Sequence, residues 1–455
     1  MSDNRPESVF STSSRRTKYI VSFAVYYCNL VFGAGVTFLS PLVLEFTRRF
    51  NASVDEISRV FTIILICYMS SALLCTLLFK CVNRQFVVLF LLSFVACSFF
   101  LIPAATNLTQ FYLFSSLIGV GSGGYDTAQV AWIIDIWRDE SAPWILSQHF
   151  AYSLGTLGPP LIISHFLPSN HSTEATGFGT DALDIHIPFY ITGSMTILAV
   201  AINFVIFFTF LNRNPVISIG NNIQEAVVVP STQRGSISSS SSTSSISAST
   251  PLLPRNRNRN LLKRKIYLIV LSCCVIGFYS ALELCTQQFL PTYAHFSPMK
   301  LSPTEGARVL FGLQLGFTIG RFVGIFLVQK ISPHFIFTGN LILLTISNTI
   351  LFVWGGHSIT LLWVGSIMIG VGMSTVYPSL YAFIEKYLFI TESVSGIITV
   401  SSSFVAAMYP VIVGNSVETN PEILMYVNYV SISVCYIAFS LLFSMTFMRR
   451  SRGRV

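Results

Sequence analysis

Three ionisable side chains stand inside long apolar runs: Asp126, Glu283 and Arg321. A charge in such a run is costly and ordinarily faces a cavity or a partner. Asp126 has Gln129 at i+3, on the same helical face. A carboxylate placed this way can load a proton or coordinate sodium, so Asp126 is the expected ion-coupling residue. Glu283 belongs to a stripe, Tyr279, Glu283 and Gln287, at i, i+4 and i+8. An aromatic ring can cover the C–H face of a sugar while amides and carboxylates take its hydroxyls. Arg321 closes a second stripe, Gln314, Thr318 and Arg321, at i, i+4 and i+7. The plain alternative for each stripe is interhelical hydrogen bonding with no part in transport.

Further candidates surround these three. Gln148 and His149 lie near the end of an apolar run, and the imidazole can titrate near neutral pH. The substrate-binding set is therefore Gln129, Gln148, His149, Tyr279, Glu283, Gln287 and Gln314, with Arg321 and Asp135 as gating residues. Tyr26, Tyr27, Asn29, Tyr377 and Tyr381 are weaker cavity candidates. Catalytic motifs are not found. Gly119-Val-Gly-Ser-Gly-Gly124 has the letters of a dinucleotide loop but sits within an apolar run, with no strand before it. No Walker loop, HExxH, GxSxG or metal cluster is present. An enzyme is not expected, nor a cofactor or metal beyond a coupling Na+ or H+.

The elements that must hold these residues follow from composition. Of 455 residues, 52% are hydrophobic and 10% charged, and the mean hydropathy is +0.66. A soluble domain carries about 25% charged residues, so this chain cannot cover itself with polar groups in water. Its net charge of +8 comes from basic residues beside apolar runs. They read as topology signals, not as a nucleic-acid footprint. A span needs about 20 mostly apolar residues. The expected spans are Tyr19–Leu44 and then roughly 57–79, 86–105, 110–136, 144–167, 187–211, 266–294, 308–328, 335–355, 358–384, 394–416 and 422–448. The reading is an all-α membrane protein with twelve transmembrane helices in two six-helix halves.

The domain plan is a tail over 1–18, a first half over 19–211, a linker over 212–265, a second half over 266–448 and a tail over 449–455. Most of the 27 Lys and Arg residues fall in the tails, the linker and alternate loops, which places both termini in the cytoplasm. The sequons at Asn51, Asn107 and Asn170 all fall in the opposite loops, and Asn170, in the longest of them, is the best glycosylation acceptor. The linker holds a Ser/Thr tract, Ser236 to Thr250, and a basic run, Arg255 to Lys265. Such a composition reads as a disordered tether, open to phosphorylation and to attraction by anionic lipid. Most of the cysteines sit within apolar runs, and no structural disulfide is expected.

The halves echo each other. Ile118-Gly-Val-Gly121 returns as Ile369-Gly-Val-Gly372, Pro159 as Pro410, and Lys80 as Lys330. This is a parallel duplication of six spans, the arrangement of major facilitator transporters. One block, from Gly121 to Pro160, contains Asp126-Thr127, Ala142-Pro143, Gln148-His149-Phe150, Gly155 and Pro159. Glu283 followed by Tyr293-Ala294 forms a second block and Gly320-Arg321 a third. With these the chain resembles the sodium-dependent glucose transporter-like branch of the major facilitator superfamily, distant kin of bacterial fucose permeases. Three places depart from that branch. Gln129 and Val130 stand where small residues and an Asn are usual, Phe289 where a Trp is usual, and Phe79–Arg84 lacks the customary acid and glycine.

The resemblance implies a hexose or similar polyol as substrate, with a coupling cation. The expected function is secondary active transport of a small polar solute by alternating access, in symport with Na+ or H+. Two alternatives stay open. One is a transporter of the same fold for an organic anion or amino acid, which the lone Arg321 suits. The other is a membrane sensor that binds solute without moving it. The expected setting is a monomer in lipid, multi-pass, in the plasma membrane, without a nucleic-acid partner.

Overall fold

The structure, a computed structural model, describes residues 14–79, 81–168, 185–211, 255–387 and 392–452. Among these every regular element is helical. The first-half spans are Arg15–Phe38, Val54–Leu78, Arg84–Leu101, Leu108–Trp137, Ser141–Ser164 and His186–Leu211. The second-half spans are Arg255–Phe296, Pro303–Lys330, Pro333–Trp354, a tenth in two segments, Ile359–Ser374 and Val376–Glu385, then Glu392–Gly414 and Ile423–Arg452. We number them one to twelve.

Among the described residues, ten helices are long and apolar enough to cross a membrane. Spans four and five are outside that set. At 30 and 24 residues and about 1.5 Å per residue, they are long enough for a hydrocarbon layer about 30 Å thick. They miss on composition, because they carry Gly and polar residues where their neighbours carry Leu and Phe. A helix that faces other helices and a polar cavity has no need of an apolar surface all round.

Three boundaries differ from the sequence reading. Span one ends at Phe38, and a turn through Pro41 leads to a short amphipathic helix, Val43–Phe50. The basic run Arg255 to Lys265, read as disordered linker, is helical and continuous with span seven; 212–254 lies outside the described residues. Span ten, read as one helix, is broken at Thr375. The capping boxes at Ser53 and Ser302 start spans two and eight where hydroxyl and carboxylate can satisfy the first N–H groups. Asn51 is an exposed left-handed cap and Asn107 an exposed N-cap of span four. Asn170 lies outside the described residues.

The duplicated glycines explain why the halves match. A Cβ on Gly119 would stand 2.3 Å from Ile64 O of span two, and one on Gly370 would stand 2.1 Å from Leu313 O of span eight. Gly121 presses on Val95 and Leu91 of span three, Gly372 on Leu344 of span nine. The repeated motif thus packs span four on spans two and three, and span ten on spans eight and nine. In the sequence Gly312, Gly316, Gly320 and Gly324 recur every fourth residue, a stripe expected to let span five approach span eight across the interface; it does allow close approach, with a Cβ on Gly316 2.2 Å from Ile367 O. Its partner is span ten in the same half, however, and not span five across the interface as expected.

Spans one and five meet backbone to backbone. A Cβ at Gly155 would lie 1.8 Å from Leu30 O, and one at Gly33 2.0 Å from Tyr152 O. Pro160 has no N–H for the carbonyl of Thr156, and Thr37 Oγ1 of span one takes that carbonyl at 3.1 Å. Gly155→Ala is expected to cost about 3 kcal/mol or more by overpacking. It should lower the melting temperature of the purified protein and its monodisperse yield. An unchanged melting temperature would contradict this packing.

Across the halves, span two packs on eleven and span five on eight. At the face away from the termini several bonds close the interface. Ser40 Oγ donates to Gln287 O and, at 2.9 Å, to Gln288 O. Pro291 explains the first: it lacks the N–H that would have bonded Gln287 O within span seven. Thr304 Oγ1 donates to Leu167 O at 2.8 Å, and Val54 N to Glu418 Oε1 at 2.8 Å. The protein is shut on that face.

Candidate functional site

Asp126 sits in the first half with neutral donors on both oxygens. Tyr68 Oη of span two donates to Oδ2, and Gln129 Nε2 donates to Oδ1. The i+3 spacing delivers Gln129, as read from the sequence. Tyr68 was missed. A tyrosine within an apolar run carries no pattern, and its meeting with Asp126 depends on the register between spans two and four. Gly123 sets that register, since a Cβ there would stand 2.1 Å from Tyr68 O.

Glu283 faces it from the second half. It lies beside Tyr279, whose hydroxyl donates to Met373 O at 2.6 Å. Tyr279 is buried, and its one hydroxyl proton goes to Met373 O, so it has no proton left to donate to Glu283. Arg321 acts electrostatically on Glu283. Depth counted along each span at about 1.5 Å per residue makes Asp126 the nearer carboxylate in the sequence, and the structure corrects this. Such counting ignores how neighbouring helices tilt.

Arg321 reaches across the interface, but to backbone. Its Nη1 donates to His149 O at 2.8 Å, and its guanidinium lies 4.2 Å from the Phe317 ring centroid and 5.1 Å from that of Tyr152. One turn away, Thr318 Oγ1 donates to Ser153 O at 2.9 Å. As the one basic side chain deep in the second half, Arg321 is expected from the sequence to bond Asp126 of the first half, directly or through Gln148; that bond is not made in this conformation. Among the described residues none of Arg321, Asp126 and Glu283 has an oppositely charged partner within salt-bridge distance. Tyr152, also missed, interacts with all three charges. Tyr377 and Tyr381 stack at 5.0 Å, with Tyr381 in reach of Tyr68 and Tyr377 of Asp126.

Gln148, Gln287 and Gln314 are at most 2% exposed, and none of their side-chain polar atoms has a protein partner among the described residues. A buried polar group left so costs about 1–3 kcal/mol. They stand on spans five, seven and eight, the helices that meet at the interface. Asp126, Glu283, Arg321 and His149 are only half-buried although they lie within their helices, and His149 and Arg321 line a cavity. Asp135 lies on the surface, paired with Arg84 at 2.8 Å within the first half. The weaker candidates of span one turn inward to packing. Tyr26 bonds Trp144 O, Tyr27 bonds Met195 O, and Asn29 bonds Val25 O and Tyr125 Oη.

The site can hold a cation at Asp126. A proton can displace either neutral donor from the carboxylate. Sodium asks for several oxygens, and Gln129 Oε1, which has no partner here, becomes one if its amide turns. Among the described residues no cluster of three or more His, Cys, Asp or Glu forms a metal centre.

A family model described as Major Facilitator Superfamily matches residues 25–410. Curated relatives include sodium-dependent glucose transporter 1 of Danio rerio, 23% identical over 96% of this chain and 72% of the relative. The Xenopus laevis protein of the same name is 21% identical over 92% and 81%. Major facilitator superfamily domain-containing protein 4A of Xenopus tropicalis is 21% identical over 85% and 84%. Among solved structures, the nucleoside transporter NupG superposes with a TM-score of 0.62 at 14% identity, over 94% of this chain and 99% of that one.

Proposed function

Since the chain belongs to the Major Facilitator Superfamily, we propose that it moves a small polar solute of the hexose class by alternating access, with a cation carried at Asp126. The observation that carries the reading is the set of three buried glutamines without protein partners, on three helices that meet between the halves. An amide offers two donors and an acceptor, which suits a ligand rich in hydroxyls. The names of the full-length relatives support a sugar and sodium.

In the cycle, each group keeps to what its place allows. Gln148, Gln287 and Gln314 bond the hydroxyls. Glu283 takes a further pair. Asp126 trades a donor for the cation. Closure at the far face hands the solute to the face that carries the termini. The rival reading, an organic anion, draws on Arg321, which among the described residues has no carboxylate partner within salt-bridge range.

Purified protein in liposomes, given labelled glucose, fucose, an amino acid and a dicarboxylate, separates the readings. Hexose uptake raised by an inward sodium or proton gradient is the expected result. Uptake of the dicarboxylate alone would overturn the sugar, and gradient-insensitive binding without uptake of any solute would overturn transport.

A further inference from the structure

A cavity of about 30 Å³ lies where span ten is broken. His149 and Arg321 line it from spans five and eight, and Ser374, Thr375, Tyr377 and Pro378 line it from the break. A water occupies about 10–15 Å³ on this measure, so the space suits a monatomic ion and excludes a sugar. At Thr375 the backbone leaves the helical region, with φ −117° and ψ 7°, and the ten-residue segment Val376–Glu385 begins.

The walls are positive from two independent sources. Thr375 makes no side-chain cap to the new helix. Its Oγ1 instead accepts from Asn340 Nδ2 at 2.7 Å, which leaves the hydroxyl proton to donate elsewhere. The first-turn N–H groups of Val376 and Tyr377 have no acceptor within the helix, and Pro378 has none to offer. They form the positive end of the helix dipole. Facing them is the Arg321 guanidinium, with an Nε–H that has no acceptor. Glu283, which acts on Arg321, is not among the residues lining this cavity. The close fit of span eight keeps the break in place: a Cβ on Gly324 would meet Thr375 Cγ2 at 2.2 Å.

We infer that this cavity binds a small inorganic anion of chloride size, held by Arg321, the Thr375 hydroxyl and the N-terminus of the second segment of span ten. Because its walls come from both halves, the bound anion ties span five to spans eight and ten. It thereby favours the conformation shut at the far face. The assignment is separate from the choice of transported solute.

The test uses the purified full chain at constant sodium and ionic strength, with chloride or bromide replacing gluconate. The halides are expected to raise the melting temperature in a saturable way. Thr375→Val and Arg321→Gln are each expected to weaken that binding at least about tenfold, which is about 1.4 kcal/mol. A bromide anomalous peak between Arg321 and Thr375 is the direct readout, and it stands if Arg321→Gln fails to fold. No halide effect in the unaltered protein would overturn the proposal, as would an effect that survives both substitutions. Protection by carboxylate solutes but not halides would reassign the cavity to a group of the solute. Loss of sugar uptake in liposomes would count against the transport reading and leave the halide result standing.

Discussion

Asp126→Asn is expected to leave solute exchange intact and abolish accumulation against a gradient. The carboxylate is held by Tyr68 and Gln129, both neutral, and has no cation within ion-pair range among the described residues. An amide is nearly isosteric and keeps at least one of those bonds, so the fold and the cavity persist. What it cannot do is carry a proton or balance a sodium ion. One positive charge moved through 100 mV is worth about 2.3 kcal/mol, or about fortyfold accumulation, and that is the quantity at stake. The measurement is labelled-solute uptake with and without an imposed gradient, beside counterflow in the same vesicles. Normal gradient-driven accumulation in the mutant, with counterflow intact, would remove Asp126 from the coupling role.

Arg321→Ala is expected to lower transport about a hundredfold, for a reason that is structural as well as electrostatic. The side chain donates a charged hydrogen bond to His149 O and lies over Tyr152. Such a bond contributes about 1.5–3 kcal/mol and a partly desolvated cation–π contact about 1–2 kcal/mol. Together they favour this conformation by about 3 kcal/mol, and removing them tips the balance between open and closed forms by roughly two orders of magnitude. The substitution also leaves Glu283 without its cation. Arg321→Lys should recover part of the activity, since it restores the charge but not the flat stacked fork. Wild-type transport by the alanine variant would show that the contact between spans five and eight does not govern the cycle.

How much of this was legible in the sequence depends on whether a feature lies along one helix or between two. Asp126 with Gln129, and the Gly312 stripe, are spacings on a single helix, and the structure keeps both. The repeated Ile-Gly-Val-Gly was legible as a duplication, and its packing role is the same in each half. Spans four and five were legible from their length between turns although their hydropathy is low. By contrast, Tyr68 against Asp126, Arg321 against His149 O, and the glycine stripe against span ten are matters of register and tilt between helices. Nothing local encodes them. The break at Thr375 left a trace in Pro378, whose missing N–H frees Ser374 O, but a proline within an apolar run also fits an unbroken, kinked helix.

The closure of the far face by Ser40 has a consequence for how such a protein can change over time. Ser40 grips the main chain of span seven, at a carbonyl that Pro291 releases, while the side-chain amide of Gln287 at the same position has no protein partner among the described residues. The clasp therefore reads no side chain at 287. On the proposed reading of Gln287, a mutation there would alter which solute is chosen without loosening the door, and a mutation at Ser40 would alter the door without touching the choice. Two properties that would otherwise have to evolve in step are written on different atoms of one residue.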